Sequence, residues 1–350
     1  MTKQVGNVEK YRALANLYHA LFTGVILSVT LRKGAVAAGD LTFAIFRRQH
    51  HEKFLSSFEK LGLTGVSDAV ACAQYHYLSN SVGGVGVEYM FENDKKAWVH
   101  FCHPRWMYEG TALCGMPIEV SQGFLKGWYA HNGISLKNPR LGFVCTSQDM
   151  DGQYGMAGYF KEFDHDLSPE ERLQFSPGEM APPFDPAAAP ILNAGEWPVE
   201  RLEKANRNYA MEYVKNFLIE MARLFGPGDA SYLGGFTAQL IGKQYYQEMA
   251  TAVGVNGNDA ASFAQFLAAM AEGHDDKVEV EQIDDGVIVR QYGWRLMRGV
   301  EAPASSVFDG WNGLWQGALS VHNRFLVLEV LQRMDFGDDC FEWRIRPRTK

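Results

Sequence analysis

Hydrophobic residues recur with a helical period in some stretches of the chain and alternate with polar residues in others. A helical period marks EKYRALANLYHALF from Glu9 and EKANRNYAMEYVKNF from Glu203. Alternation marks VHFCHPR from Val99 and VRQYGWR from Val289, which is typical of half-buried strands. Because helices come first and strands follow, the pattern predicts an α+β fold, with N-terminal helices packed on an antiparallel sheet.

The same order of segments occurs twice along the chain. Gly39-Asp40 precedes FRRQHHEKF and Gly228-Asp229 precedes LIGKQYYQEM, and the helices DAVACAQYHYL and DAASFAQFLAAM then begin at Asp68 and Asp259. NPRLGFVCTSQDMD near the end of the first half matches HNRFLVLEVLQRMD near the end of the second. The order predicts a tandem duplication, with a first α+β repeat over residues 1–162 and a second over 201–350.

Proline separates the two predicted repeats. Seven of the thirteen prolines lie between Pro169 and Pro198. Proline neither donates to a strand ladder nor fits inside a helix, so residues 163–200 are predicted to be an extended linker.

Composition narrows the class of protein. Hydrophobic residues make up 47% and charged residues 21%, as in a folded globular protein. The net charge of −8, without a basic cluster, argues against a nucleic-acid partner. Five cysteines without a CxxC pair indicate reduced thiols, and the apolar segment from Ala20 to Leu31 is too short to span a bilayer. We therefore expect a cytoplasmic protein with a small-molecule partner and no membrane partner; a homo-oligomer stays open.

The segments resemble the L-2-amino-thiazoline-4-carboxylate hydrolase family, a bacterial group related to the 4-vinyl-reductase domain. The resemblance rests on Asp68 with its helix, Cys102-His103-Pro104, the helix near Trp128 and the strand after Arg140. It covers most of residues 40–160 and, more faintly, 229–345. It implies an α+β fold with a ligand cavity between helices and sheet.

Candidate chemistry concentrates in the first predicted repeat. Cys102-His103 there corresponds to Tyr292-Gly293 in the second repeat, and His50-His51 corresponds to two tyrosines. Alternation along the strand places His100 and Cys102 on one face and His103 on the other.

A cysteine beside a histidine is a candidate nucleophile, since a neighbouring imidazole favours the thiolate. Cys102 would attack a carbon of a C–N or C–S bond, a histidine (His100 or His103) would carry the proton, and Glu109 or Glu52 would orient that histidine. A buried, purely structural Cys102 is the competing interpretation.

Two alternatives use the other histidines. His50 or His51 is a candidate general base for a cofactor-independent lyase or isomerase. His50 or His51, His76, Cys102 and His103 are ligand types that zinc accepts, but their spacing matches no closed zinc site and HExxH is absent. We therefore expect no metal and no cofactor.

Aromatic residues crowd the first repeat and suit a pocket for a flat ring. The candidates for substrate binding are Tyr75, Trp106, Trp128 and Tyr129. The prediction is an enzyme acting on a small cyclic or aromatic molecule, with hydrolysis of a C–N or C–S bond as the preferred reaction. A non-catalytic sensor or carrier of such a molecule is the alternative from another class.

Overall fold

The computed structural model describes residues 6–192 and 195–348 and confirms the α+β class. The chain forms two compact units. We call Val29–Pro198 the continuous unit, and Met1–Ser28 together with Val199–Lys350 the discontinuous unit. The first helix, α1 (Asn7–Lys33), begins in the discontinuous unit and contains the boundary between the two.

The continuous unit consists of helices followed by a mainly antiparallel sheet. Its helices are α2 (Ala35–Lys53), α3 (Asp68–Val82), α4 (Ile118–Gly127) and the short α5 (Asn132–Ser135). Its strands are β1 (Val87–Asn93), β2 (Lys96–Phe101), β3 (Leu141–Ser147), β4 (Met156–Glu162) and β5 (Leu173–Phe175). The strand order is β1-β2-β4-β3-β5, and only the β3–β5 pair is parallel.

Both faces of this sheet are covered. On one face α3 and the segment around Tyr129 pack on aromatic residues, with the Tyr129 ring centroid 4.6 Å from that of Phe143 and 5.2 Å from that of Phe160. On the other face Met90, Trp98, Val144 and Tyr159 form a buried cluster, covered by Phe163, Ala181 and Phe184. Every residue of β3 is buried as a result.

The segment predicted to be a linker therefore has a structural role. Residues 173–175 form β5 and pair with β3, and Ala181 and Phe184 pack on the sheet. Proline suits this position because an extended segment that lies across a sheet face needs no ladder hydrogen bonds of its own. We call residues 177–190 the proline strap.

The discontinuous unit contains the start of α1 and the second half of the chain. Its helices are α6 (Val199–Phe225), α7 (Pro227–Ala252), α8 (Ala260–Gly273) and α9 (Ser305–His322). Its strands are β6 (Lys277–Ile283), β7 (Gly286–Tyr292), β8 (Leu326–Gln332) and β9 (Phe341–Pro347), in the order β6-β7-β9-β8. Strands β1 to β4 of the continuous unit have the same relative order.

The outer face of this second sheet is charged instead of covered. Arg290 donates to Glu281 at 2.7 Å and pairs with Glu342, and Arg346 pairs with Glu329. Opposite charges on neighbouring strands stabilise a solvated sheet face modestly. The apolar face under the proline strap thus distinguishes the continuous unit.

Glycine allows a very close helix contact in the discontinuous unit. A Cβ added at Gly317 of α9 would lie 2.1 Å from the backbone oxygen of Gln239 on α7. No side chain fits at that separation, so the two helices depend on glycine at this position.

Helix α1 is long and apolar enough to cross a membrane by length and composition, although 67% of its most apolar stretch is buried within the protein. The apolar segment noted in the sequence is thus part of a 27-residue helix. Burial of this kind is typical of a core helix in a soluble protein.

Candidate functional site

The β1–β2 hairpin brings three reactive side chains together on the face under the proline strap. Antiparallel pairing sets Glu88 opposite His100, and Cys102 follows two residues later on the same side of the chain. The backbone N–H of Cys102 donates to the carbonyl of Gly86 at 2.9 Å, which extends the pairing beyond β2. We call Glu88, His100 and Cys102 the hairpin cluster.

The hairpin cluster is compact. One carboxylate oxygen, one imidazole nitrogen and the thiol sulfur all lie within 4.8 Å of one another. His100 Nδ1 lies 2.8 Å from Glu88 Oε2. A carboxylate only accepts, so this contact places a proton on Nδ1 and leaves the lone pair of the neutral ring on Nε2.

The thiol of Cys102 is protonated at rest. Partial burial raises its pKa, and the negative charge of Glu88 raises that pKa further. The thiol points to the backbone oxygen of His100 at 3.9 Å. Any nucleophilic role therefore requires removal of the thiol proton during the reaction, because no thiolate is preformed.

Gly155, just before β4, determines the space available to the imidazole. A Cβ at this position would lie 2.7 Å from His100 Nε2 and 3.0 Å from the backbone oxygen of Phe101. Nε2 is buried and has no hydrogen-bond partner among the described residues. Glycine at this position thus leaves room for the His100 ring, and the lone pair on its Nε2 accepts no hydrogen bond from the described residues.

A cavity of about 410 Å³ lies beside the hairpin cluster. The strands supply Glu88, Met90 and His100, and the loop before β4 supplies Tyr154. The proline strap contributes residues 180–184 and Pro186 to the cavity wall. The cavity is within the size range of small-molecule sites, and most of its walls are apolar, with a carboxylate and an imidazole among the lining groups.

The charges around this cavity restrict what can bind. Glu88 is the acidic side chain among the described lining residues and His100 is the imidazole, and none of those residues is lysine or arginine. An anionic ligand would meet the Glu88 carboxylate without a fixed cation to offset it. The cavity therefore favours uncharged or cationic ligands.

The matching strand positions of the discontinuous unit hold different chemistry. Glu279 and Arg290 are cross-strand partners there, and the hydroxyl of Tyr292 donates to Glu279 at 2.9 Å. These residues form ion pairs and hydrogen bonds on an open sheet face. A thiol and an imidazole occupy the corresponding positions only in the continuous unit.

His103 lies apart from the hairpin cluster, as strand alternation predicts. Its Nε2 is 2.6 Å from Asp149 Oδ1, and Arg105 Nη1 is 3.4 Å from the other carboxylate oxygen. The Arg105 guanidinium also stacks over the rings of Phe101 and Tyr108 at 4.7 and 4.6 Å. Asp149 is 3% exposed, so this group anchors the chain after β2.

His50 and His51 occupy different environments. His50 is 1% exposed, stacks on Phe54 at 4.6 Å and has Nε2 2.9 Å from Ser135 Oγ. Burial lowers the pKa of His50 to about 3 and that of His131 to about 4, so these rings are neutral near pH 7. His51 is exposed, with its ring 4.9 Å from that of His131.

The remaining predicted residues lie away from the cavity beside the hairpin cluster. Glu109 is exposed, and Glu52 pairs with Arg48 at 3.3 Å. Tyr75, Trp128 and Tyr129 are buried in the aromatic core on the helix side of the sheet, and Trp106 lies in a 3-10 turn after β2.

Sequence reasoning missed Glu88, Tyr154 and Asp149. Glu88 is the carboxylate that orients a histidine, a role that the sequence assigned to Glu109 or Glu52. The cavity beside the hairpin cluster also lies on the strap side of the sheet, whereas the family resemblance implies a cavity between helices and sheet.

Comparison with protein-family models, curated proteins and solved structures finds no match to this chain.

Proposed function

We propose that the chain is a thiol-dependent hydrolase of small, cyclic or aromatic, uncharged or cationic molecules. The observation that carries the proposal is the hairpin cluster, a thiol, an imidazole and a carboxylate within 4.8 Å of one another, in which Glu88 and His100 also line the cavity. Nucleophile, base and orienting group are the three parts that covalent hydrolysis requires.

The proposed reaction begins with removal of the thiol proton. Cys102 Sγ forms a bond to the acyl carbon of the substrate while its proton passes to the His100 ring, which Glu88 holds by the contact at Nδ1. The C–N or C–S bond then breaks, and the leaving atom takes that proton. Water cleaves the resulting thioester and restores the thiol. The cluster closes from its resting separation when substrate binds, as catalytic hydrogen bonds often do.

The walls of the cavity support the choice of substrate. Tyr154, with its ring centroid 5.2 Å from that of His100, and the apolar strap residues suit a flat ring placed over the cluster. A carboxylate substrate, as in the resembled family, would lack a cationic partner among the described lining residues. The proposed substrate class differs from that family in this respect.

The alternative general bases are less suited. His50 is buried among aromatic rings with its pKa lowered to about 3, so it is a weak base without access to solvent. His51 is exposed on α2, away from the cavity beside the hairpin cluster. A cytoplasmic location agrees with the free thiols of the five cysteines and with the net charge of −8.

The test uses p-nitrophenyl acetate, a neutral aromatic ester, and its anionic analogue mono-p-nitrophenyl succinate. We expect a burst of one p-nitrophenol per chain with the neutral ester, a weaker burst with the anionic one, and an acetyl group on Cys102 by peptide mass spectrometry. Cys102→Ser should abolish the burst, and His100→Asn should slow it by about 10²-fold.

Cys114→Ser is the matched control, because Cys114 is an exposed thiol that should leave the burst unchanged. A burst that survives in Cys102→Ser, or an acetyl group that appears on Cys114 instead, would refute the proposal.

A further inference from the structure

We infer that the hairpin cluster also binds a divalent transition-metal ion of the zinc type, and that the ion blocks Cys102. Binding of the ion rests on the geometry of the cluster alone, while the block of activity rests on the proposed function.

The donor set matches such an ion. Thiolate, imidazole and carboxylate are the three ligand types of zinc, and a soft thiolate disfavours magnesium and calcium. Two anionic ligands, Glu88 and the Cys102 thiolate, neutralise a dication, which matters in a site where the His100 side chain is only 19% exposed. The ion would thus be held without net charge in a largely apolar surrounding.

The spacing is also suitable. Tetrahedral zinc with bonds of about 2.0–2.3 Å keeps its ligand atoms about 3.6 Å apart. The three donor atoms lie within 4.8 Å of one another and the His100–Glu88 contact is 2.8 Å, so modest side-chain rotation brings them into place. All three come from one hairpin, whose paired backbone fixes the positions of their Cα atoms.

The position of the hairpin cluster beside the cavity explains why a bound ion is expected to inhibit the thiol reaction. Glu88 and His100 line the cavity, so a three-coordinate ion would keep its fourth position toward the bound molecule. The ion would use the sulfur lone pair that attacks the substrate. Metal binding and thiol chemistry therefore exclude one another.

The experiment titrates Co²⁺ into the reduced, metal-free, full-length chain. We expect a near-ultraviolet sulfur-to-cobalt band and the visible bands of a tetrahedral site, both removed by added Zn²⁺. Cys102→Ser should lose the sulfur band, and Glu88→Gln should weaken binding by more than about 10-fold. Cys114→Ser should bind as the unmodified chain does. Absence of the sulfur band, or its persistence in Cys102→Ser, would overturn the inference.

The p-nitrophenyl acetate burst, measured with and without Zn²⁺, separates the two proposals. Zn²⁺ should suppress the burst and a chelator should restore it. A sulfur band without any burst in the metal-free chain would support the metal site and refute the proposed hydrolase. A burst without a sulfur band would support the hydrolase and refute the metal site. A burst that Zn²⁺ accelerates would refute the inference that the ion blocks Cys102.

Discussion

Acid should destabilise the discontinuous unit through His274, which is fully buried. Its Nε2 lies 2.5 Å from the hydroxyl of Tyr18, and the indole N–H of Trp311 donates to the same hydroxyl at 2.9 Å. The Trp311 contact occupies the Tyr18 oxygen as an acceptor, so the Tyr18 hydroxyl donates its proton to His274. A proton on Nε2 would break this chain of hydrogen bonds.

The size of the effect follows from the pKa of His274. Burial, together with the charge of Arg207, lowers that pKa from 6.5 to about 3. As pH falls below 6.5, the unfolded chain binds a proton that the folded chain refuses, so stability is complete above pH 6.5 and is lost progressively down to about pH 3. The loss is about 1.4 kcal/mol per pH unit, or about 2.7 kcal/mol at pH 4.5.

The perturbation is His274→Gln, since a glutamine amide oxygen can still accept from Tyr18 and does not titrate. Urea unfolding followed by circular dichroism and tryptophan fluorescence from about pH 7 to about pH 4.5 gives the slope of the unfolding free energy with pH. We expect the slope of the unfolding free energy with pH to be smaller in the variant by about 1.4 kcal/mol per pH unit. This difference does not depend on the stability of the variant at neutral pH.

His165→Gln is the control, because His165 is exposed on the surface of the continuous unit. A slope for His274→Gln equal to that of the unmodified chain would show that the buried ring is not the group that titrates. The reasoning from burial would then be refuted.

Three further predictions concern other parts of the molecule. Gly155→Ala should displace the His100 ring and slow the p-nitrophenyl acetate burst by about 10²-fold, measured by stopped-flow absorbance. Asp149→Asn should leave the buried Arg105 without its counter-ion and reduce the unfolding free energy by about 3 kcal/mol in urea. Gly317→Ala should force α9 from α7 and cost about 1–3 kcal/mol in the same assay, and an unchanged midpoint would contradict the close helix contact.

Periodicity was sufficient to predict the class of fold and part of the candidate site. Alternation along β2 places His100 and Cys102 together and His103 apart, and the structure has this arrangement. The same reasoning could not predict that Glu88 lies beside His100. A plain two-residue turn at residues 94–95 would set Tyr89 opposite His100, but the pairing shifts by one between Phe91 and Asn93.

That shift is a β-bulge, and a one-residue change of register exchanges the two faces of a strand. It moves a carboxylate to the cavity side in place of a phenol. The sequence pattern likewise could not predict contacts between residues that lie far apart in the chain. Nothing in the proline content indicates that residues 181 and 184 pack on the buried cluster that contains Trp98 and Tyr159 instead of crossing solvent.

The discontinuous unit is built from two separate stretches of the chain, and this limits how it can be produced by itself. Tyr18 is translated long before His274 and Trp311, so the amino-terminal helix cannot make these contacts until most of the chain has been synthesised. An expression plasmid beginning at Val199 would omit the hydroxyl to which the Trp311 indole donates. A protein that begins after the proline-rich segment should thus have an incomplete discontinuous unit. Replacing residues 29–198 by a short loop would keep both stretches of sequence that form this unit.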